Sequence, residues 1–207
     1  MQTYCEIANT SSPMHPYYRY NIKMKVIIGL GNPEPEYSQT RHNAGKELLN
    51  QFKEHSYSFH AWEHHKKSNC DYVKVDDEFY MVKPTCFMNE TGKWVKTFLD
   101  YFNLKSEDMI VAYDELDLFV GEYKFLFAKG TRIHNGVNSI AEVLGTDQFW
   151  HLRIGVRDLS IPMSVQKAGR DPSRYVLERF NSDDSKKVNF LVDTTIIPAL
   201  NKFLSKN

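Results

Sequence analysis

The chain has 207 residues, 42% of them hydrophobic and 14% aromatic, which is enough to bury one compact core; disorder throughout is excluded and one domain is expected. Basic and acidic residues number 26 each, so any binding to nucleic acid must come from local segregation of charge and not from a generally cationic surface. The sequence has no run of about 18 apolar residues, which a membrane-spanning helix would need, and no apolar N-terminal stretch of the signal-peptide type.

Cysteine usage indicates the redox compartment. The three cysteines, Cys5, Cys70 and Cys86, form no CxxC pair and leave an odd thiol, which argues against a disulfide-linked secreted domain and against a cysteine zinc site. We therefore expect a soluble protein of the cytoplasm. A monomer is the default expectation, because no apolar stripe in the sequence demands a partner.

The first 23 residues differ in character from the rest of the chain. Residues 1–23 are polar and aromatic and show no apolar period, whereas the pattern becomes strand-like at Met24. We interpret them as a disordered leader, or as an upstream start ahead of Met24, followed by one domain over residues 24–207. A targeting peptide is the alternative, which Glu6 and the lack of an amphipathic stripe disfavour.

Strands and helices alternate along the first half of the domain. Residues 24–30 form a short apolar run that ends in Gly-Leu-Gly, which is typical of a buried strand stopping at a tight turn. Residues 72–75 and 79–83 flank Asp-Asp-Glu and predict a hairpin, with Pro84 ending its second strand. Apolar residues at helical spacing predict one helix on either side of this hairpin, through Ala44, Leu48, Leu49 and Phe52 and through Val95, Phe98, Leu99 and Phe102.

The same alternation continues in the second half. Residues 109–113 predict a buried strand that ends at the acidic residues 114–117, for which a solvated turn is one interpretation. Residues 121–127 and 151–156 predict two further strands. The helix between them is expected to stop at Gly145, and its apolar face is formed by Val137, Ile140, Val143 and Leu144.

The C-terminal segment predicts one more helix, which we expect to be capped by Ser182 and to be kinked or restarted by Pro198. Strands that alternate with helices at this spacing give a single three-layer α/β domain, with a twisted, mixed and mostly parallel sheet flanked by helices. In such a sheet, the loops at the carboxyl ends of parallel strands are the expected functional site.

Four polar clusters fall at strand ends or helix starts. The first displays Asn32 in the loop after the first strand and His42 at the start of the following helix, and a histidine can act as a general base near neutral pH. The loop lacks the third glycine of a dinucleotide-binding fingerprint and the Lys-Ser/Thr of a P-loop. A capped helix start is the alternative interpretation of His42.

The other three clusters add an acid and two amides. Asn89 lies where the second predicted helix begins, Asp114 follows a buried strand, and Asn135 precedes the third helix. Each has a structural alternative: the asparagines as helix caps and Asp114 as part of a solvated turn. A base, an orienting acid and several amides, without a Gly-x-Ser-x-Gly elbow or a set of metal ligands, together indicate hydrolysis by an activated water.

Five motifs follow one another between about Met24 and the C-terminal helix. They are Gly-Leu-Gly-Asn-Pro with Tyr37, Thr-Arg-His-Asn-Ala-Gly, Lys-Pro-Thr-Cys-Phe-Met-Asn, Asp-Glu-Leu-Asp-Leu and His-Asn-Gly. In this order and spacing they resemble the bacterial-type peptidyl-tRNA hydrolases. The resemblance implies an enzyme that hydrolyses the ester bond between peptide and tRNA, with peptidyl-tRNA as its partner and with no metal or cofactor.

The resemblance also implies a role for each matching residue. His42 is the catalytic base, Asp114 is the acid that assists it, and Asn32 helps to place the water and the ester. The substrate-binding residues that the resemblance implies, for the peptide, the reacting carbonyl and the pocket wall, are Tyr37, Met88, Asn89 and Asn135. The implied mechanism is attack of a water deprotonated by His42, with amide donors stabilising the oxyanion.

The stretch before His-Asn-Gly departs from the family pattern. Relatives carry a glycine-rich stretch with a histidine, whereas this chain reads Ala-Lys-Gly-Thr-Arg-Ile, and Leu126 stands where relatives use a basic residue to clamp a tRNA phosphate. Arg153 matches the second clamp position, and we expect Lys129 and Arg132 to substitute at the first. Residues 121–180 hold nine Lys or Arg against six Asp or Glu, which supports a tRNA face in this part of the chain.

Two alternatives belong to other classes of protein. One is a non-enzymatic RNA-binding relative, of the kind that serves intron splicing in plant organelles; the altered stretch supports it, and the joint presence of a base, its acid and the amides argues against it. The other is a metal hydrolase built on His60, His64 and His65, in which two histidines one helical turn apart hold zinc. The HExxH order and a nearby acidic ligand are missing from that segment.

Overall fold

A seven-stranded mixed sheet forms the middle layer of the protein. The computed structural model describes residues 24–129, 133–161 and 164–205. Its strands are β1 (Lys25–Gly29), β2 (Glu63–His65), β3 (Cys70–Val75), β4 (Phe79–Pro84), β5 (Met109–Phe119), β6 (Tyr123–Phe127) and β7 (Trp150–Arg157). They follow the order β2-β3-β4-β1-β5-β7-β6, in which β4, β1, β5 and β7 run parallel and antiparallel pairs lie at both edges. The predicted mixed sheet is confirmed.

Helices cover both faces of the sheet. They are α1 (Ala44–Ser56), α2 (Thr91–Phe102), α3 (Asn135–Leu144), α4 (Pro172–Tyr175), α5 (Ser182–Leu191) and α6 (Ile197–Leu204). In β1, Ile27 packs with α1, α5 and α6, whereas Val26 and Ile28 pack with α2 and α3, so the strand is apolar on both sides. A π-helical turn, Val192–Ile196, separates α5 from α6, and Pro198 lies in the first turn of α6, where it restarts the helix.

Strand β5 is longer than its apolar run. The sequence predicts that the strand ends at residue 113, but it continues to Phe119, and Asp114 and Glu115 lie buried inside it. The predicted end and the alternative of a solvated turn were wrong because the pairing partner β7 continues alongside, through Ile154 and Gly155. A Cβ atom on Gly155 would lie 2.0 Å from the carbonyl oxygen of Phe119, so the close approach of the two strands requires glycine there. The two carboxylates are thereby carried into the interior.

The cap of α5 lies one residue earlier than predicted. Asn181 precedes the helix, and its side-chain oxygen accepts hydrogen bonds from the backbone N–H groups of Asp183 at 3.0 Å and Asp184 at 2.8 Å. Ser182, which the sequence predicts as the cap, is the first residue of the helix. Both residues are good caps, and only the backbone geometry distinguishes them.

We expect Asn181→Ala to destabilise the protein by about 1 kcal/mol, because two N–H groups at the start of α5 would lose their acceptor. The matched change Ser182→Ala should alter the free energy of unfolding by less than about 0.5 kcal/mol, since that residue is not the cap. Urea denaturation of both variants measures the difference. Equal destabilisation by the two changes would contradict this assignment of the cap.

The leader predicted for residues 1–23 lies outside the described residues. Within the part of the chain that the structure describes, none of the helices combines the length and the apolar character needed to span a bilayer. Cys70 and Cys86 are both buried and both free, so these two thiols form no disulfide with each other.

Candidate active site

A cavity of about 620 Å³ opens at the carboxyl ends of the parallel strands. Its walls come from the loops after β1 and β4, from β5, from the start of α3 and from the segment around α4. This is where a doubly wound α/β sheet places its ligand site. The predicted site residues that line the cavity are Asn32, His42, Met88, Asn89, Asp114 and Asn135.

His42 and Asp114 form a buried pair at the bottom of the site. His42 lies in a 3-10 turn, Arg41–Asn43, that leads into α1, and its backbone N–H donates to the carbonyl of Val176 at 2.8 Å. Its Nδ1 lies 2.8 Å from Oδ1 of Asp114. A carboxylate only accepts, so His42 Nδ1 carries the proton and Nε2 is the unprotonated nitrogen. The structure thus brings together the base and the acid that the sequence predicts 72 residues apart.

A second histidine contacts the same carboxylate oxygen. Nε2 of His134 lies 2.9 Å from Oδ1 of Asp114, and its Nδ1 accepts from the backbone N–H groups of Gly136 and Val137 at 3.2 and 3.3 Å. The capping bonds require an unprotonated Nδ1, so His134 is held as the neutral tautomer that donates from Nε2. From the His-Asn-Gly motif, sequence reasoning named Asn135 as a site residue and missed His134. The position of His134 at a helix start was the available signal.

The pKa values of the pair are shifted in the directions that favour a charged carboxylate. Burial raises the pKa of Asp114, but the two imidazoles that hydrogen-bond to it outweigh burial and hold the pKa well below its usual range. Burial lowers the pKa of His42, and the carboxylate beside it raises the pKa by more, so the net shift is upward. His42 is therefore a stronger base than a free histidine.

Asn32 is oriented by the loop after β4. Its Oδ1 accepts from the backbone N–H of Met88 at 3.0 Å, which assigns the oxygen and nitrogen of the amide. Nδ2 is then the group that Asn32 offers to the cavity, as a hydrogen-bond donor. The amide that the sequence predicts near the reacting ester thus lies in the same cavity as His42 and Asp114.

The peptide-binding residues predicted from sequence fall into two groups. Asn89 and Asn135 line the cavity, and both are exposed. Neither caps a helix with its side chain: the residue before α2 is Glu90, and His134 caps α3. Met88 is buried and lines the cavity.

Tyr37 does not line the cavity. Its ring packs edge-on against Phe87, with ring centroids 6.2 Å apart, and Phe87 does line the cavity. Tyr37 therefore contacts the wall of the site from outside, whereas the sequence prediction placed it among the residues that line the pocket.

An apolar rim surrounds the polar centre, and sequence reasoning did not identify it. Phe87, Ile133 and Leu177 are exposed and line the cavity from three different segments. The wall that contains Leu177 follows α4, whose Asp171 cap and Pro172 form a start signal for a helix. That signal was available in the sequence, but nothing in it places α4 against His42.

One of the predicted tRNA-phosphate residues, Arg153, contacts a residue that lines the cavity. Arg153 donates from Nε to Oε2 of Glu115 at 2.7 Å, and a second nitrogen of its guanidinium contacts the same oxygen. Glu115 is buried and lines the cavity, so Arg153 lies behind its rim. Lys129 is exposed after β6, and Arg132 lies outside the described residues.

Two sets of residues were candidates for metal ligands. His42, Asp114 and His134 offer ligand atoms within 4.8 Å of one another, and they are the only such group of three in the described residues. The two histidine nitrogens that face Asp114, however, carry the protons that they donate to its carboxylate, so they are not free to bind a metal ion.

The alternative cluster of His60, His64 and His65 does not assemble. His64 and His65 are neighbours in strand β2, so their side chains point to opposite faces. His64 bonds to Asp71 at 2.8 Å, and His65 bonds to Ser68 at 2.7 Å. The helical spacing on which the zinc alternative depends is therefore absent.

Comparison with known proteins places the chain among hydrolases. A family model described as peptidyl-tRNA hydrolase matches residues 26–207. A peptidyl-tRNA hydrolase of Ligilactobacillus salivarius is 34% identical over 167 residues, which are 80% of this chain and 85% of that protein. The crystal structure of peptidyl-tRNA hydrolase from Acinetobacter baumannii matches with a TM-score of 0.70 and 27% identity, over 89% of this chain and 96% of that one. A crystal structure of a peptidyl-tRNA hydrolase complex with N-propanol matches with a TM-score of 0.69 and 26% identity, over 88% and 95% of the two chains.

Proposed function

Since the chain belongs to the peptidyl-tRNA hydrolase family and hydrolyses the ester bond between peptide and tRNA, we propose that it does so by histidine-activated attack of water. The observation that carries this mechanism is the buried pair of His42 and Asp114 at the bottom of the cavity. It supplies a base with its Nε2 unprotonated and a carboxylate that stabilises the imidazolium after proton transfer.

The reaction begins when a water between His42 and the ester carbonyl loses a proton to Nε2. The hydroxide oxygen bonds to the carbonyl carbon, and the carbonyl oxygen becomes an oxyanion. Nδ2 of Asn32 is the proposed donor to that oxyanion, because Oδ1 of the same amide is held by Met88. Collapse of the intermediate breaks the ester bond, and His42 returns the proton to the leaving ribose oxygen, which frees the tRNA and the peptide.

The two exposed asparagines of the cavity are the proposed binding groups for the peptide. We assign Asn89 and Asn135 to the peptide backbone and the reacting carbonyl, because a side-chain amide both donates and accepts and both residues line the cavity. Met88 supports this wall and Tyr37 packs behind it against Phe87. Backbone recognition of this kind accepts many peptide sequences.

The proposed reaction needs no metal ion or cofactor. Asp114 accepts hydrogen bonds from two imidazoles, and these bonds direct the protonated nitrogens toward the carboxylate. The one basic nitrogen left at the centre is Nε2 of His42, which suits a proton acceptor better than a ligand set.

We assign the tRNA phosphates to three basic residues, Arg153, Lys129 and Arg132. Phosphate contacts give affinity without reading sequence, which suits an enzyme that accepts many tRNAs. Arg153 is anchored by Glu115 through one edge of its guanidinium, and a planar fork of five donors keeps further N–H groups for a phosphate.

Replacing Lys129 with glutamine is expected to weaken tRNA binding a few-fold and to reduce the slope of log affinity against log salt by about 1, because one phosphate contact is lost. Filter binding at several salt concentrations measures both quantities. The matched control is Lys66→Gln, which removes an exposed lysine near β2, far along the sheet from the cavity. An unchanged salt slope in Lys129→Gln would exclude this residue from the phosphate contacts.

We further propose that the enzyme acts as a monomer in a reducing cytoplasm. The buried free thiols Cys70 and Cys86 support the reducing compartment. Analytical ultracentrifugation of the full chain tests the oligomeric state.

The hydrolase activity itself is tested by release of peptide from an N-blocked aminoacyl-tRNA. Wild type should liberate free tRNA and the blocked amino acid with multiple turnover. A folded wild type without this activity would instead favour the RNA-binding alternative.

A further inference from the structure

A buried lysine lies against the loop after β1, which carries Asn32, and has no part in the mechanism described above. Lys46 is in the first turn of α1, and only 2% of its surface is exposed. Burial opposes a positive charge there, and the positive end of the helix dipole opposes it as well. Lys46 must therefore make contacts that compensate for these two costs.

The contact that Lys46 makes is with Asn32. Its Nζ donates to the backbone carbonyl of Asn32 at 2.8 Å. Asn43 contacts both backbone polar groups of the same residue: its Oδ1 accepts from the Asn32 N–H at 2.9 Å, and its Nδ2 donates to the Asn32 carbonyl at 3.1 Å. The main chain of Asn32 is thus anchored by two side chains of the segment that also carries His42.

The space for these anchors comes from Gly31. A Cβ atom at this position would lie 2.8 Å from Cδ of Lys46 and 2.9 Å from Cγ of Asn43. Burial lowers the pKa of Lys46 to about 8, and the charged or titratable groups that also influence it are Glu34, Cys86, Lys83 and Asp71. Either protonation state of the amine can donate to a carbonyl.

We infer that Lys46 is a positioning residue for hydrolysis: by holding the carbonyl of Asn32, it keeps the Asn32 side-chain amide where the ester carbonyl must bind. This inference rests on the proposed role of Asn32 as a donor to the oxyanion. Asn32 is then fixed at three groups, its N–H, its carbonyl and its Oδ1, and Lys46 supplies an amine donor to the second of them. An amide that is fixed before the reaction loses no energy in reorienting as the oxyanion forms.

Lys46→Met tests the inference, because methionine keeps a stem of similar length and lacks the donor. We expect kcat to fall about tenfold with little change in KM, since a small misplacement of a transition-state donor costs catalysis more than binding. The melting temperature should stay the same or rise, because a buried amine is replaced by an apolar group. A residue that only supports the fold would give the opposite result: a lower melting temperature and an unchanged kcat per folded molecule.

Lys53→Met is the matched control. Lys53 is also buried on α1, but its Nζ bonds to Glu54 at 2.9 Å and to the carbonyl of Ser58 at 3.5 Å, whereas that of Lys46 bonds to Asn32. Its replacement should leave kcat unchanged. A tenfold loss in this variant as well would attribute the effect to α1 in general and overturn the inference.

A double-mutant cycle with Asn32→Ala decides whether Lys46 acts through Asn32. In the Asn32→Ala background, Lys46→Met should cause no further loss of kcat, because the amide that it positions is gone. Multiplication of the two separate losses would overturn the inference. Full activity of Asn32→Ala alone would also overturn it, whereas only an inactive wild type would count against the hydrolase function.

Discussion

Replacing His42 with alanine is expected to reduce hydrolysis of peptidyl-tRNA by about 10²–10⁴-fold, the contribution of a positioned general base. The loss should appear in kcat, because the other histidine that lines the cavity has no free ring nitrogen: His134 uses Nδ1 to cap α3 and Nε2 to hold Asp114. Asp114 keeps its bond to His134 in this variant, so the fold should survive. Release of peptide from an N-blocked aminoacyl-tRNA, at equal folded concentration, is the measurement.

His64→Ala is the control for this change. His64 forms a histidine–aspartate pair with Asp71 whose distance, 2.8 Å, equals that of His42 with Asp114. It lies on strand β2 at the far edge of the sheet, away from the cavity. Activity should therefore be unaffected. If His42→Ala retained activity while folded, the base would have to be sought elsewhere, and the proposed mechanism would be wrong.

Replacing Asp114 with asparagine is expected to lower kcat by about a thousand-fold or more, as loss of the orienting carboxylate does in other histidine-dependent hydrolases. The amide has the same shape, but its N–H can donate to Nδ1 of His42 and so place the proton on Nε2. That tautomer cannot accept a proton from water. The amide also carries no charge with which to stabilise the imidazolium.

The pH profile separates this effect from a change in folding. In wild type, burial lowers the pKa of His42 and Asp114 raises it by more, so its pKa lies above the ordinary 6.5. His42 is a base only when neutral, and the acid limb of kcat/KM should therefore lie above pH 6.5 in wild type. In Asp114→Asn the burial remains and the carboxylate is gone, so the limb should move to lower pH.

Asp71→Asn is the control for the second change, since it alters the pair with His64 and leaves the cavity intact. Its activity and its acid limb should match those of wild type. An acid limb that stayed in place in Asp114→Asn would show that His42 is not the group titrating, even if activity fell.

Much of this architecture could be predicted because it follows from local patterns. The apolar run of β1, the helical spacing in α1 and the glycine that ends α3 each indicate their element without reference to the rest of the chain. Candidate residues for the site could also be named, because polar residues stand at strand ends and helix starts. His42 and Asn32 are examples, and both line the cavity.

The predictions that failed depended on contacts between distant segments. Asp114 was predicted to follow the strand because the apolar run stops before it, but pairing with β7 keeps it within the strand. Asn181 rather than Ser182 caps α5, because Asn181 is the last residue with an extended backbone before the helix. Tyr37 lies behind Phe87, which belongs to another loop.

The sequence by itself predicted most of the strands and helices, although not β2 or α4, and it supplied the candidate base, acid and amides of the site and the resemblance to a family of hydrolases. Only the tertiary structure decided that His42 and His134 share one oxygen of Asp114, and that Arg153 is anchored by Glu115. It also placed the ammonium of Lys46 on the carbonyl of Asn32. Periodicity and residue type are local properties of a chain, whereas a hydrogen bond between distant residues depends on how the sheet brings separate segments together.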